Sequence, residues 1–153
     1  MVDYQFVTER LAIGGAIGTA GNMRELARVG ITHVVNMQKE FDDSLLTDGS
    51  GIEVLWNGCE DDFLPKPADL FWKGIRFTLA ALADPSAKVY FHCAAGVHRS
   101  PIMLLAVLRV LGHERREAIN MISDARPLAN FPPVYLMSVE DFLCEYRASL
   151  QAI

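Results

Sequence analysis

The sequence predicts an α/β fold, with a mostly parallel central sheet of four to five strands flanked by helices. Three observations carry this prediction. Short apolar, β-branched runs alternate with longer stretches of helical periodicity, the pattern of a parallel sheet with crossover helices. One run, Lys88–Phe91, passes directly into a Gly-containing loop and then a strongly apolar helix, and ligands of such folds sit at the carboxyl ends of strands. The 153 residues suit one domain over 1–153 with its own core, and they contain no repeat, low-complexity tract or linker.

Each element follows in order. Phe6-Val7 and Leu11-Ala12-Ile13 read as a short initial strand pair, interrupted by Thr8-Glu9-Arg10 and ended by Gly14-Gly15. Asn22 is a good cap for a helix over Met23–Val29, which Gly30 stops. His33–Met37 and Ile52–Trp56 read as buried strands joined by a polar, acidic connection holding Asp42 and Asp43. Gly58 to Pro67 is a loop by its Gly and Pro content, and Leu70, Ile75, Leu79 and Leu82 place an amphipathic helix over Asp69–Ala83. After the Lys88–Phe91 strand, Pro101 is acceptable in the first turn of the helix that reaches Leu111. Helices near Glu114–Ala125 and Pro133–Leu150 complete the chain.

Composition narrows the function classes. The formal net charge is −5, from 14 Lys+Arg against 19 Asp+Glu, so neither nucleic acid nor an anionic membrane is an expected partner. Ile102–Leu108, the longest apolar run, is far too short to span a bilayer. Three cysteines without a CxxC pair make neither a disulfide framework nor a structural zinc site, and the opening residues lack a signal peptide's basic and apolar regions. The expectation is a soluble, cytoplasmic, monomeric protein.

The chemistry concentrates in His92-Cys93-Ala94-Ala95-Gly96-Val97-His98-Arg99-Ser100. A strand, a short loop and a helix N-terminus form an anion cradle, because the amides of Ala94, Ala95, Gly96, Val97, His98 and Arg99 can converge on a tetrahedral oxyanion. Gly96 permits close backbone approach, and Arg99 offers a planar fork for phosphate oxygens. A thiol at the mouth of this cradle is expected to be held as a nucleophilic thiolate, since helix terminus and cation both favour the anion. Ser100 is placed to donate a hydrogen bond to that sulfur, and His92 to hold the loop. A metal reading of His92, Cys93 and His98 lacks a fourth ligand and the usual spacings, so no metal or cofactor is expected.

His92-Cys93-x5-Arg99-Ser100 resembles the signature of cysteine-dependent protein phosphatases, and its surroundings resemble the small dual-specificity branch. Arg10 to Gly15, Gly30-Ile31-Thr32-His33-Val34-Val35-Asn36, and Arg126-Pro127 followed by Asn130-Phe131-Pro132 are similar to the family's first strands, its next core strand and the segment before its last helix. The resemblance implies the phosphotyrosine protein phosphatase II-like fold and a phosphocysteine mechanism needing no metal: attack by Cys93, charge stabilisation by Arg99 and the amides, and release helped by Ser100.

The resemblance also implies a general acid on the loop that precedes Cys93 by about this spacing. Asp62, in Asp62-Phe63-x-Pro, is the favoured residue; Asp61, in Glu60-Asp61, is the alternative. His98 is read as lying on the rim of the loop. Cys59 is a candidate for a reversible disulfide with Cys93 if their Cα atoms lie within ~7 Å. Cys144 is read as packing, and His33 and His113 as structural or surface residues. The implied substrate is protein phosphotyrosine, with phosphoserine or phosphothreonine. Alternatives are a non-protein phosphomonoester, such as a phosphoinositide or small metabolite, and a phospho-binding module with little activity. The neutral loop residues Ala94 to Val97 argue against highly phosphorylated lipids.

Overall fold

The computed structural model describes residues 1–152. Five strands, β1 (Tyr4–Phe6), β2 (Leu11–Gly14), β3 (His33–Gln38), β4 (Glu53–Cys59) and β5 (Val89–His92), form one sheet in the order β1-β2-β5-β3-β4. Only the β1–β2 pair is antiparallel; β2–β5, β5–β3 and β3–β4 are parallel. The helices are α1 (Ala20–Arg28), α2 (Ala68–Leu82), α3 (Arg99–Val110), α4 (Arg115–Ala125) and α5 (Pro133–Gln151).

The period-two alternation of the central strands divides the core into two layers. Ile13, Val35, Met37, Val89 and Phe91 pack with α2, α3, α4 and α5, whereas Ala12, Val34 and Tyr90 pack with Met23 and Leu26 of α1. Every residue of α3 from Arg99 to Leu108 is buried, which explains why its sequence is apolar on all sides rather than on one stripe. β5 is the central strand, so the loop leaving its carboxyl end emerges where the sheet is covered on both faces.

The structure corrects some local expectations. α1 is capped by Thr19, not Asn22: Thr19 is extended and its hydroxyl accepts the Asn22 N–H at 3.1 Å, while the Asn22 amide donates to the Ile17 carbonyl at 2.7 Å. The acidic connection after β3 contains a 3-10 turn, Asp43–Leu46, capped by Asp42 through the Ser44 N–H at 2.9 Å. β4 continues through Gly58 to Cys59, opposite a register shift between Asn36 and Gln38. A Cβ at Gly58 would lie 2.7 Å from the Lys39 Cα, so only glycine lets the two strands close there.

Candidate active site

The loop between β5 and α3 is held from outside by its carbonyl oxygens. The Cys93 carbonyl accepts from His92 Nδ1 at 3.1 Å, and that of Ala94 from the Ala16 N–H at 3.0 Å. The guanidinium of Arg126 donates to the carbonyls of Ala95 and Gly96, each at 2.9 Å, and the Asn130 N–H donates to that of Val97 at 2.7 Å. With its carbonyls tied outward, the loop keeps its amides for a ligand, as an anion nest requires. Gly96 makes the turn possible: its φ is +69°, and a Cβ there would lie 2.6 Å from the Gly14 carbonyl oxygen.

Cys93 is only 3 % exposed, and its Sγ lies 3.4 Å from the Ser100 hydroxyl in the first turn of α3. The sulfur thus lies beside the first turn of α3, one of the two sources of positive potential expected for it. His92 lies on the α1 side of the sheet, where its Nε2 meets Asp43 Oδ2; both side chains are fully buried. The Cys93 carbonyl can only accept, so Nδ1 carries a hydrogen, and one proton is shared between Nε2 and Asp43. The His92 side chain thus meets the loop at the Cys93 backbone, with no hydrogen bond to its thiol.

Arg99 is more constrained than a free fork. Nη1 and Nη2 donate to the two carboxylate oxygens of Glu40 at 2.8 and 2.9 Å, and Nη1 also reaches the Cys59 carbonyl at 2.9 Å. Its Nε is buried without a protein partner. The edge carrying Nε is thus the one left for an incoming oxyanion, with Glu40 locking the opposite edge. The paired guanidinium in turn holds the Glu40 carboxyl down at about 2.

The acid loop gives its two aspartates different partners. Asp62, the favoured residue, accepts from Lys66 Nζ at 2.7 Å and from the Leu64 N–H at 3.1 Å, and the lysine holds its carboxyl below the usual range. Asp61 instead reaches the catalytic-loop side: Oδ2 lies 2.9 Å from His98 Nδ1, and Oδ1 accepts from the Tyr135 hydroxyl at 2.9 Å. Immediately after the two aspartates, Phe63 has a φ of +58° and turns the chain sharply. Phe63 packs its ring on Tyr135 (5.9 Å, nearly parallel) and edge-on to His98 (5.1 Å).

The remaining sequence candidates separate. Ala94, Ala95, Gly96, Val97 and His98 form the loop as expected, with His98 immediately before α3. Cys59 and Cys93 are both free thiols, and burial pushes Cys59 up to about 11, which makes it a poor nucleophile. Cys144, read as packing, is exposed. Glu40, Asp43, Arg126 and Tyr135 each reach the site from a distant segment, and of the four only Arg126 falls in a stretch with a sequence signal, Arg126-Pro127, which carries no site role of its own.

Comparison with known proteins places this geometry in a family. Residues 15–142 match the family described as dual specificity phosphatase, catalytic domain. Human dual specificity protein phosphatase 26 is 36% identical over 110 residues, covering 70% of this chain and 52% of that protein. Human protein phosphatase Slingshot homolog 3 is 27% identical over 140 residues, covering 90% of this chain and 20% of that protein. The chain spans about half the length of the dual specificity protein phosphatase 26 relatives it matches. The crystal structure of PTPMT1 superposes with a TM-score of 0.82 at 25% identity, covering 98% of this chain and 99% of that one, and PTPMT1 in complex with PI(5)P gives 0.83. The chain belongs to the dual specificity phosphatase catalytic-domain family.

Proposed function

We propose that this chain hydrolyses phosphomonoesters, protein phosphotyrosine first and phosphoserine or phosphothreonine with it, through a phosphocysteine intermediate. The observation that carries the reading is the Cys93 sulfur, 3.4 Å from Ser100, inside a loop whose carbonyls are all drawn outward. In the first step the Cys93 thiolate attacks phosphorus in line, forming the S–P bond as the bond to the leaving oxygen breaks. The loop amides and the free edge of Arg99 take the charge on the equatorial oxygens. Asp61 gives its proton to the leaving oxygen. In the second step water attacks phosphorus and returns a proton to Asp61, the S–P bond breaks, and the Ser100 hydroxyl stabilises the departing thiolate.

Asp61 takes the acid role here because its carboxyl faces His98 of the loop, whereas Asp62 is occupied by Lys66 as a carboxylate. Aryl phosphates of graded leaving-group acidity test this assignment. Asp61→Asn should lower kcat/KM for phenyl phosphate about 100-fold, in the range of general acid catalysis, and Asp62→Asn less than about threefold. A reversed order returns the role to Asp62. A non-protein substrate is the second reading, favoured by the fold similarity to PI(5)P-bound PTPMT1; the absence of lysine from Ala94 to His98 weighs against it. A panel of phosphopeptides, phosphoinositides and nucleotides, with Cys93→Ser as blank, separates the two.

A further inference from the structure

Tyr135 belongs to α5, 74 residues away from Asp61 in sequence, yet it makes the most direct contact with the acid of any residue outside the loop. Its side chain is fully buried and its hydroxyl is used twice: Oη accepts the Phe63 N–H at 3.0 Å and donates to Asp61 Oδ1 at 2.9 Å. A phenol has one hydrogen, and here that hydrogen points at Oδ1. Burial and the neighbouring carboxylate push the phenol up to about 12, so the hydrogen stays on Tyr135 throughout the neutral range. Oδ1 is therefore occupied as an acceptor, and the exchangeable proton of Asp61 belongs on Oδ2. Oδ2 is the oxygen 2.9 Å from His98, on the phosphate-loop side.

We propose that Tyr135 is a positioning residue for the general acid, fixing the transferable proton on Asp61 Oδ2, where the leaving oxygen arrives. The inference rests on the reading of Asp61 as the acid. In the free protein His98 Nδ1 holds Oδ2 in place; in the substrate complex the leaving oxygen takes that position and receives the proton. The same hydroxyl pins the left-handed Phe63 through its N–H, so the acid loop is oriented by one atom of α5. A second tether, the Lys66 N–H donating to the Ser138 hydroxyl at 2.9 Å, fixes the far end of the loop to the same helix.

The test compares kcat/KM for phenyl phosphate, whose leaving group needs a proton, with 2,4-dinitrophenyl phosphate, whose leaving group does not. Tyr135→Phe keeps the ring and its stacking and removes only the hydroxyl. It should lose about tenfold on phenyl phosphate and under about twofold on the dinitrophenyl ester, as loss of proton placement rather than of binding requires. Adding Tyr135→Phe to Asp61→Asn should cost nothing more. Phe63→Ala, which removes the stacked ring and leaves the hydroxyl contacts, should keep the wild-type ratio between the two esters. Equal losses on both esters with Tyr135→Phe, or a Phe63→Ala variant with the altered ratio, would overturn the proposal and make the contact one of packing. An Asp61→Asn variant that discriminates normally overturns the acid reading itself; an Asp61→Asn that loses phenyl phosphate while Tyr135→Phe does not overturns only the role of Tyr135.

Discussion

The shared proton between His92 and Asp43 allows a sharp test of how the catalytic loop is held. Asp43→Ala removes the partner of a fully buried imidazole. An unsatisfied buried donor costs about 1–3 kcal/mol, and breaking a buried pair by removing one member about 3–5 kcal/mol. Asp43 Oδ1, however, has no partner of its own, so its removal relieves part of the desolvation cost and brings the net loss to about 2–4 kcal/mol. For a chain of this size, about 2–4 °C per kcal/mol converts the loss into a Tm drop of about 4–16 °C. Asp43→Asn behaves differently. Its amide donates to Nε2 of a neutral imidazole while Nδ1–H still reaches the Cys93 carbonyl, so the loss stays under about 1 kcal/mol. Thermal unfolding by circular dichroism, paired with 4-nitrophenyl phosphate turnover, reads both effects. An alanine variant melting within about 2 °C of wild type, or an asparagine variant as damaged as the alanine one, would refute the shared-proton account.

Two further perturbations address the chemistry and its pH dependence. Cys93→Ser should abolish phosphatase turnover while retaining calorimetrically measurable binding of phosphate or vanadate, because the amides and Arg99 remain; normal turnover would sink the phosphocysteine mechanism. Glu40, held at about 2 against 4.5 by its bonds to Arg99, has a depressed folded-state value, so its contribution is present above about 4.5 and is lost as pH falls towards about 2. Its carboxylate is 52 % exposed, and screening limits the contribution to about 1 kcal/mol. Glu40→Gln should flatten the acid limb of the urea stability profile by that amount, and an unaltered limb would count against the pairing.

What sequence reveals about this site tracks how local the chemistry is. Cys93, Arg99 and Ser100 are legible because strand, loop and helix N-terminus are contiguous, and their residue types make sense only together. The parallel core strands are legible for a similar reason: Val34-Val35 and Val89 to Phe91 carry their burial in their own composition. The supports of the loop are not legible, because each partner lies far away. Glu40 is 59 residues from Arg99, Asp43 is 49 from His92, and Asp3 is 123 from Arg126. Nothing in an acidic connection after β3 distinguishes the buried Asp43 from the half-buried Asp42 until the 3-10 turn fixes which one points inward. The different settings of Asp61 and Asp62 are illegible in the same way, since the partners of Asp61, His98 and Tyr135, lie 37 and 74 residues away.

These remote carboxylates change the electrostatic picture of the site. Three basic side chains surround the catalytic loop, and each is matched: His92 by Asp43, Arg99 by Glu40, and Arg126 by Asp3 at 2.8 Å. The attraction for phosphate cannot come from surplus cationic charge, because none is left over. It must come from the loop amides, the N-terminus of α3 and the unpartnered Nε of Arg99, all of which act over a few ångströms and at one point. The carboxylates around that point are matched in the same way: Glu40 by Arg99, Glu60 by Lys39, Asp61 by His98 and Asp62 by Lys66. A single phosphate on a slender group can reach the amides, whereas an anion carrying several phosphates finds no unmatched cation among these groups for the others. On the proposed activity, selection for isolated phosphomonoesters follows from compensation: Glu40 both aligns Arg99 for one oxyanion and withdraws the charge that would draw in a second.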